Sequence, residues 1–554
     1  MKKLLALFLA LVMLFGMTNA LAVSTDYKDN SCWPITDEDI TVNIGMVFRA
    51  AADGADPAKT WFFQWASEKS GLKFTFDSIL ENARSEKKSL MFASDDLPEV
   101  LWNYALSPVE LVKYGSVEKQ LLPLNEYITE DIMPNLCAWL KAYPDAITNI
   151  TAPDGNIYSL PYFYKVKFSA GGATYAMISD MYLSELGLEK PRTLDEMTTA
   201  LYAFKEKYPD KTPIGGCSSG YDVRTFFLNA LGYLTSGGND YGLGIAIRDG
   251  KLVIPCADEK FLDFLKLMNQ YYQDGIISQD YFLLDSDTVK ASLIAKDVLL
   301  AEGFDLGYTG STYDDWKCWS AAYPLTSEGH DTPFALSANL FQTGGLALTH
   351  YCEHPVEFLK FMDFLYSDLG IVWGWYGPIV GHPDLEGYEN TGWYWNEGDV
   401  CHFVGVDNGL YSDEYPNGLF TCNPACLCVG NNGYALNEPE LSNVYEIMKS
   451  IAGHKNTEFE WDVLGNRDNY MRASVEKYQC PYETTDFPYY VYFTEEQTAR
   501  VDELYTVLQP YVENRVAEFI TGQRSLDEYP QFIEELEKMG IREYEAIYRE
   551  ATGR

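Results

Sequence analysis

Positive charge, histidine and long apolar runs are all scarce in this chain. Of its 554 residues, 41 are Lys or Arg against 81 Asp or Glu, which gives a net charge of −40, and only 6 are His. A surface this acidic repels phosphate backbones and anionic lipid head groups, so we expect no nucleic-acid partner. Beyond residue 22 no segment approaches the roughly 18 apolar residues of a membrane span, so the mature protein is expected to be soluble.

Common catalytic motifs are also missing. The sequence contains no G-x-S-x-G, no H-E-x-x-H, no P-loop and no dinucleotide fingerprint between a strand and a helix. We therefore predict a protein with no catalytic residues and no cofactor. With 81 acidic residues, a glycosidase carboxylate pair stays open, so a secreted glycan-active enzyme is the alternative.

The cysteines give no clear metal site. Their number is 11, which is odd, so disulfides do not use them all. Cys422, Cys426 and Cys428 are spaced C-x3-C-x-C, which differs from the paired C-x2-C spacing of structural zinc sites. Buried thiols or one disulfide are the expected outcome, with no bound metal.

Residues 1–22 have the composition of an export signal. Lys2 and Lys3 precede an apolar stretch from Leu4 to Phe15, and Ala-Leu-Ala at 20–22 offers a cleavage site. A single membrane anchor is the competing interpretation. The first cysteine is Cys32, so the lipid-attachment cysteine of a lipoprotein is not found at the cleavage point. We expect an exported protein, either extracellular or periplasmic, without a lipid anchor.

The first part of the mature chain predicts a parallel sheet. Strands and helices alternate in the order strand 40–48, helix 60–70, strand 72–76, helix 79–90 and strand 99–104. Such alternation is typical of strands joined by crossover helices, and ligands of these sheets lie beyond the carboxyl ends of the strands. Trp102, Asn103 and Tyr104 end the third strand and are therefore candidate ligand contacts.

Local signals further along the chain predict helices. Capping boxes are formed by three pairs of residues, namely Thr193 with Glu196, Thr494 with Gln497, and Ser525 with Glu528. Apolar residues from Phe261 to Tyr272 recur at helical spacing. The last sixty residues are predicted to be helical throughout.

Aromatic residues supply the remaining candidates, since 15% of the chain is Phe, Trp or Tyr. Aromatic planes stack on the C–H faces of sugar rings, while hydroxyls need fixed polar partners. The candidate aromatic patches and their polar neighbours are Tyr162 and Tyr164, Phe304, Asp305 and Tyr308, and Trp373, Trp375 and Tyr376. Each aromatic has core filling as its ordinary role. Trp373 and Trp375 share one face if the segment is extended.

A charged pair is the last candidate. Asp222 and Arg224 in "GYDVR" can offer sugar hydroxyls an acceptor and a donor, or they can form a surface ion pair. The surface ion pair is the favoured interpretation of these two residues.

Several ordered motifs resemble the extracellular solute-binding proteins of carbohydrate ABC importers. They are "SLMFASDDLPEVLW", "APDGNIYSLPY", "MISDMYLSELGLEKPRTLDEMTTALYAFKEKYPD", "MNQYYQDGIISQDYF", "VEFLKFMDFLYSDLG" and the closing "ITGQRSLDEYPQFIEELEKMGIREYEAIYREATGR". Together they cover about residues 40–370 and 490–554. Each is weak alone, but their order and spacing are specific.

The resemblance implies a two-lobed α/β fold of the type II periplasmic-binding-protein class, closing over a sugar between the lobes. Lobe 1 would hold 40–158 and 340–385, and lobe 2 would hold 159–339 and 386–554. The protein would capture a sugar, best matched by an oligosaccharide, act as a monomer and deliver its ligand to the permease subunits of an ABC transporter. A sensor or adhesion module on the same fold is a further alternative.

The chain departs from the resembling family at two internal segments as well as at the missing lipid-attachment cysteine. "KYPDK" is too short for the Asp/Asn-rich calcium loop of many relatives, and "WGWYGPIVGHPD" replaces the usual Gly-x-Glu-Gly turn. The ligand of this chain can therefore differ from the ligands of close relatives.

Overall fold

A computed structural model describes residues 33–48, 57–80, 83–163, 176–218, 222–236, 241–302, 309–310, 313–336, 341–375, 392–395, 401–404, 467–484 and 486–554. The chain divides into two compact units: unit 1 comprises Met1–Val166 and Leu340–Phe459, and unit 2 comprises Lys167–Asn339 and Glu460–Arg554. The proposed signal segment and the cluster of Cys422, Cys426 and Cys428 lie outside the described residues. The lobe boundaries given above stay predictions.

The strands are, in chain order, β1 Thr41–Phe48, β2 Lys73–Leu80, β3 Val100–Trp102, β4 Leu160–Phe163, β5 Ala176–Ser179, β6 Ile214–Gly215, β7 Ala246–Arg248, β8 Lys251–Val253, β9 Leu300–Glu302, β10 Trp319–Ala321, β11 Ala335–Leu336, β12 Phe341–Leu348, β13 Gly392–Trp395, β14 Cys401–Val404 and β15 Glu483–Thr484.

The α-helices are Trp61–Ser70, Arg84–Ser94, Pro108–Leu111, Pro134–Ala142, Asp145–Ile150, Asp180–Leu186, Leu194–Lys207, Arg224–Ala230, Phe261–Gln273, Ser286–Ile294, Tyr313–Trp316, Pro355–Phe364, Asp368–Trp375, Arg467–Tyr478, Glu495–Thr521, Tyr529–Lys538 and Ile541–Thr552. A π-helical turn spans Val112–Val117, and 3-10 turns span Pro57–Lys59, Pro255–Ala257, Cys480–Tyr482 and Leu526–Glu528.

Unit 1 is built on a five-stranded sheet in the order β2-β1-β3-β12-β4. β1 pairs in parallel with both β2 and β3, which confirms the parallel sheet predicted from the alternating strands and helices. β12 runs antiparallel to β3 and β4 and so completes the sheet from a distant part of the chain. This return could not be anticipated from local periodicity, because strand pairing depends on which distant segments meet.

The predicted helix 60–70 is confirmed as Trp61–Ser70. The Thr60 hydroxyl accepts a hydrogen bond from the Phe63 amide, and Gly71 ends the helix with φ +80°. A Cβ at Gly71 would lie 2.1 Å from the Thr36 carbonyl oxygen, so this stop is restricted to glycine for both conformational and steric reasons.

The next predicted helix was placed too early. β2 continues to Leu80 because all eight of its residues pair with β1, and the helix runs from Arg84 to Ser94 instead of 79–90. Asp95 then adopts φ +53° and ends the helix, and β3 begins at Val100. The chain thus passes from this helix to the third strand within residues 95–99.

A buried carboxylate joins two helices of unit 1. Asp363 is 2% exposed and accepts hydrogen bonds from the Asn135 amide (3.1 Å), the Asn135 side chain (2.9 Å) and the Leu136 amide (2.9 Å). Two of these donors are backbone amides in the first turn of Pro134–Ala142, where a helix offers no acceptor of its own. Asp363 thus fastens helix Pro355–Phe364 to the start of that helix.

Unit 2 contains a four-stranded sheet in the order β10-β5-β9-β6. β5 is antiparallel to β10 and β9, while β6 and β9 are parallel. The helix Leu194–Lys207 starts at the predicted capping box of Thr193 and Glu196, with both reciprocal hydrogen bonds present.

The helical C-terminal region is confirmed over the described residues. The capping box of Thr494 and Gln497 starts the long helix Glu495–Thr521, whose last carbonyls accept hydrogen bonds from Asn269. The capping box predicted at Ser525 was wrong, because the chain forms a 3-10 turn there and the Ser525 hydroxyl accepts from the Asp527 amide, 3.3 Å away. In the part of the chain that the structure describes, no helix has both the length and the apolar character of a membrane span.

Candidate ligand-binding site

Trp102 stands at the end of β3, as predicted, but its ring lies in the hydrophobic core of unit 1. It is 1% exposed and packs edge-on against Phe63, with ring centroids 5.9 Å apart and planes at 81°. Its backbone is held between Met46 of β1 and Leu346 of β12. In this conformation the indole fills the core, and its role as a ligand contact stays a prediction.

The two residues after Trp102 are also held by their own unit. Asn103 adopts φ +66°, and its side-chain amide donates to the Val47 carbonyl at 3.1 Å. Tyr104 is 1% exposed, its hydroxyl lies 3.6 Å from the Met91 sulfur, and burial together with the charge of Asp77 raises the pKa of Tyr104 to about 12. The φ of Asn103 re-aims the chain at the strand end, which is a position that favours Asn over bulkier residues.

Tyr162 and Trp373 are further predicted contacts in unit 1. Tyr162 lies in β4 opposite Gln342 and is 6% exposed, and Trp373 is 1% exposed within the core. The condition for Trp373 and Trp375 to share one face, an extended segment, is not met, because both belong to the helix Asp368–Trp375. Residues two apart on a helix point about 200° apart rather than to one face.

The remaining aromatic candidates are not located by the structure. Tyr164, Phe304, Asp305, Tyr308 and Tyr376 lie outside the described residues, as does the side chain of Trp375. Their proposed ligand contacts stay predictions.

Asp222 and Arg224 form an ion pair in unit 2, as favoured from the sequence, but the surface location was wrong. Asp222 is 5% exposed and Arg224 is 2% exposed. Arg224 Nε donates to Asp222 Oδ1 at 2.6 Å, and Nη2 donates to Oδ2 at 2.5 Å, so the pair is bidentate. The Arg224 backbone amide also donates to Oδ1 at 3.1 Å, which explains why these two side chains meet across a single intervening residue.

Two tyrosines complete the surroundings of this pair. The Tyr281 hydroxyl donates to Asp222 Oδ1 at 2.8 Å, and the Arg224 guanidinium carbon lies 3.7 Å from the centre of the Tyr241 ring. We name Asp222, Arg224, Tyr241 and Tyr281 the unit 2 charge cluster. Aromatic stacking and a bidentate carboxylate together fix the guanidinium plane.

The charge state of the cluster follows from its burial. Burial alone disfavours the guanidinium charge, but the neighbouring Asp222 carboxylate outweighs it and raises the pKa of Arg224. Burial and the charge of Asp222 raise the pKa of Tyr281, so its hydroxyl keeps its proton and remains a donor. The cluster therefore combines an ionised Arg224 with the neutral phenol of Tyr281.

A second carboxyl group acts on the same pair. Glu302 ends β9, and burial followed by repulsion from Asp222 raises the pKa of Glu302, while Arg224 opposes that rise. A protonated carboxyl is a hydrogen-bond donor as well as an acceptor, which suits it to hydroxyl ligands.

Reasoning from the sequence missed Tyr241, Tyr281 and Glu302. The signal for Glu302 was present, because an acid closes the buried run Val298 to Ala301 at the carboxyl end of a strand that has a parallel neighbour. Tyr241 and Tyr281 carried no comparable signal, since each is far from Arg224 along the chain.

Unit 2 also contains two surface cavities, of about 620 Å³ and 700 Å³. The larger is lined by cations and rings such as Lys190, Arg192 and Tyr478, and the smaller by Lys260, His330 and neighbouring acids. Neither is lined by the unit 2 charge cluster. One of the lining cations already has partners within the unit. The Arg192 guanidinium donates hydrogen bonds to the hydroxyls of Tyr323 (2.8 Å) and Tyr482 (3.2 Å), both in unit 2.

Comparison with known proteins identifies the fold. No family model matches the sequence. The fructooligosaccharide ABC transporter substrate-binding protein FusA of Streptococcus pneumoniae is 23% identical over 574 residues, covering 97% of this chain and 95% of FusA. The structure of FusA in complex with kestose matches with a TM-score of 0.64 and 20% identity, covering 92% of this chain and 98% of FusA.

A second solved structure agrees. The HMO-binding, ABC-transporter-associated solute-binding protein of Bifidobacterium longum infantis matches with a TM-score of 0.71 and 18% identity, over 93% of this chain and 98% of that one. The α/β solute-binding-protein fold predicted from the sequence is thereby confirmed, and so is the resemblance to the proteins of carbohydrate ABC transporters.

Proposed function

We propose that this chain is a substrate-binding protein that captures an oligosaccharide and delivers it to an ABC importer. The observation that carries the proposal is the alignment with a fructooligosaccharide-binding transport protein over nearly the full length of both chains. This alignment covers 97% of this chain and 95% of FusA, so the likeness is not limited to one segment. The permease partner, the monomeric state and export from the cell belong to the same proposal.

Within this proposal the unit 2 charge cluster is the candidate contact for sugar hydroxyls. Hydroxyl groups need donors and acceptors in fixed positions, and the cluster offers an oriented guanidinium, a carboxylate and a phenol. Further proposed contacts are the unit 1 candidates Trp102, Tyr104, Tyr162 and Tyr164. The relatives are transport proteins, and we propose that this chain also performs no chemistry on its ligand.

Ligand-induced stabilisation tests the proposal. Thermal unfolding of the mature chain would be followed with kestose, nystose, maltotriose, cellotriose and galactotriose, with short peptides as the comparison class. A ligand that binds only the folded chain stabilises it by about 2.7 kcal/mol at a hundredfold excess over its Kd. A shift with at least one sugar and none with peptides is expected, and the reverse pattern would refute carbohydrate binding.

Catalysis is separated from binding by a second assay on the same sample. Prolonged incubation with each stabilising sugar should leave the amount of reducing ends unchanged, since a receptor binds its ligand and releases it intact. Release of reducing ends that grows with time would favour the glycan-active enzyme.

A further inference from the structure

The guanidinium of Arg224 has one edge without a hydrogen-bond partner. Nε and Nη2 bond Asp222, and the ring of Tyr241 covers the guanidinium plane, while Nη1 is buried and bonds no described residue. A buried N–H of a charged group without an acceptor is unfavourable, because it has lost its hydration and gained nothing in return. An acceptor at Nη1 would therefore lower the free energy of the cluster.

The charges around this edge already sum to zero or less. The Asp222 carboxylate neutralises the guanidinium at 2.5 Å, and Glu302 adds a second carboxyl group that interacts with both partners. Tyr281 contributes a neutral phenol, and Tyr241 contributes the face of its ring. The cluster therefore offers hydrogen-bond donors without an uncompensated positive charge.

We propose that the Nη1 edge of Arg224 binds an uncharged hydroxyl or ring oxygen, so that the protein selects neutral oligosaccharides and rejects those carrying uronic or sialic acid groups. The inference rests on the proposed function and narrows it to one chemical class of sugar. A neutral oxygen satisfies the orphan N–H donors and leaves the charge of the cluster unchanged.

The same charges would disfavour the binding of an acidic sugar. Its carboxylate would share one guanidinium with Asp222 in a buried site, beside Glu302. Charges of one sign that are brought together away from water repel strongly and keep the desolvation cost of each ion. Selectivity for neutral sugars thus follows from the arrangement of charges.

A matched pair of sugars tests this selectivity. Galactotriose and trigalacturonate differ at C6, where a hydroxymethyl group is replaced by a carboxylate, and kestose, maltotriose and sialyllactose extend the panel. Isothermal titration of the mature chain is expected to show binding of at least one neutral sugar. The Kd of every acidic sugar should be about 100-fold higher than that of this neutral sugar, or higher still.

The role of Nη1 is tested by Arg224→Lys, which keeps the positive charge and removes the forked donor edge. We expect this substitution to lower the affinity for the neutral sugar by about tenfold or more. The matched control is Arg248→Lys. Arg248 is also a largely buried arginine of unit 2, bonded to Asp258 at 2.6 Å and lying 5.3 Å from the Tyr233 ring, but it lies outside the cluster.

The outcomes separate the inference from the function it rests on. Acidic sugars that bind as tightly as neutral ones would overturn the inference while keeping the carbohydrate receptor. Equal losses in both variants, or none in Arg224→Lys when its melting temperature shows a folded protein, would overturn the role of Nη1. If no sugar in the panel binds, the carbohydrate function fails and the inference fails with it.

Discussion

The residues predicted to touch the ligand have different surroundings in the two units. In unit 1, the rings of Trp102 and Trp373 lie inside the core, where burial of their apolar surface stabilises the fold. In unit 2, Asp222 and Arg224 are buried charges, and charges remain costly to bury until every polar atom is paired. A buried aromatic is thus weak evidence for a binding site, whereas a buried charged group with an unpaired atom points to a missing partner.

The largest effect expected from this comparison is the loss of stability in Trp102→Ala. Removing the indole from its packing on Phe63 leaves a cavity in the core of unit 1, and we expect the free energy of unfolding to fall by about 3–5 kcal/mol. Chemical denaturation measures the change. Trp102→Phe, which retains a ring, serves as the control and should cost much less.

Trp102→Ala also bears on the predicted ligand contact. If its ring only fills the core, sugar affinity measured under conditions where the variant is folded should match that of the unchanged protein. A variant that keeps its stability but loses affinity would reverse the assignment of Trp102 to the core.

A buried carboxylate of unit 1 supplies the second test. Nη1 of Arg224 bonds no described residue, whereas the Asp363 carboxylate accepts hydrogen bonds from the amides of Asn135 and Leu136 in its own unit. Asp363→Ala would leave these two amides without this acceptor. We expect a loss of about 3 kcal/mol in the free energy of unfolding, with sugar affinity unchanged. Asp285→Ala removes an exposed helix-capping carboxylate in unit 2 and should cost only about 1 kcal/mol. Equal losses in the two variants would show that burial does not strengthen the Asp363 contacts.

Tyr281→Phe compares a hydrogen bond to a charge with one to a neutral group. The Tyr281 hydroxyl donates to the Asp222 carboxylate at 2.8 Å, so its removal should cost about 2 kcal/mol. Tyr271 is equally buried in unit 2, but its hydroxyl bonds the neutral hydroxyl of Thr198, so Tyr271→Phe should cost about 1 kcal/mol. The two variants would be compared by denaturation under identical conditions, and the opposite order would contradict a stronger hydrogen bond from Tyr281 than from Tyr271.

Local patterns predicted much of the fold, and they did so where local physics decides the outcome. Thr60 and Gly71 delimit a helix through local hydrogen bonds, and the alternation before Phe48 is that of a largely buried strand. The continuation of β2 to Leu80 was missed because it depends on pairing with β1 along its whole length. Contacts between distant residues decide such boundaries, and periodicity does not contain them.

The candidate site was less predictable for the same reason. The sequence placed Asp222 beside Arg224, because a two-residue separation allows their side chains to meet. It could not show that the pair is buried, or that Tyr241 and Tyr281 enclose it, since both are brought there by the fold of unit 2. The function of a charged pair depends on whether it is exposed or buried. Its burial is set by the packing of the folded chain.

The last expected effect is a change in how stability depends on pH in Glu302→Gln. Burial and the charge of Asp222 raise the pKa of Glu302, with Arg224 acting in the opposite direction and the Tyr281 phenol contributing no charge. The folded chain therefore holds a proton that the unfolded chain releases above its ordinary carboxyl pKa of 4.5. Stability falls as pH rises from that value to the raised pKa, by at most about 1.4 kcal/mol per pH unit, and is constant above it.

Denaturation at pH 5, 6, 7 and 8 measures this dependence. Gln cannot ionise, so the variant should lack the downward slope and gain on the unchanged protein as the pH rises. Glu543→Gln is the control, because hydrogen bonds from Arg500 lower the pKa of Glu543 and confine its contribution to the acid side of this range. Its stability relative to the unchanged protein should not vary between pH 5 and 8. Parallel curves for Glu302→Gln and the unchanged protein would mean that Glu302 is ionised throughout, and the cluster would then carry a net negative charge that excludes acidic sugars more strongly still.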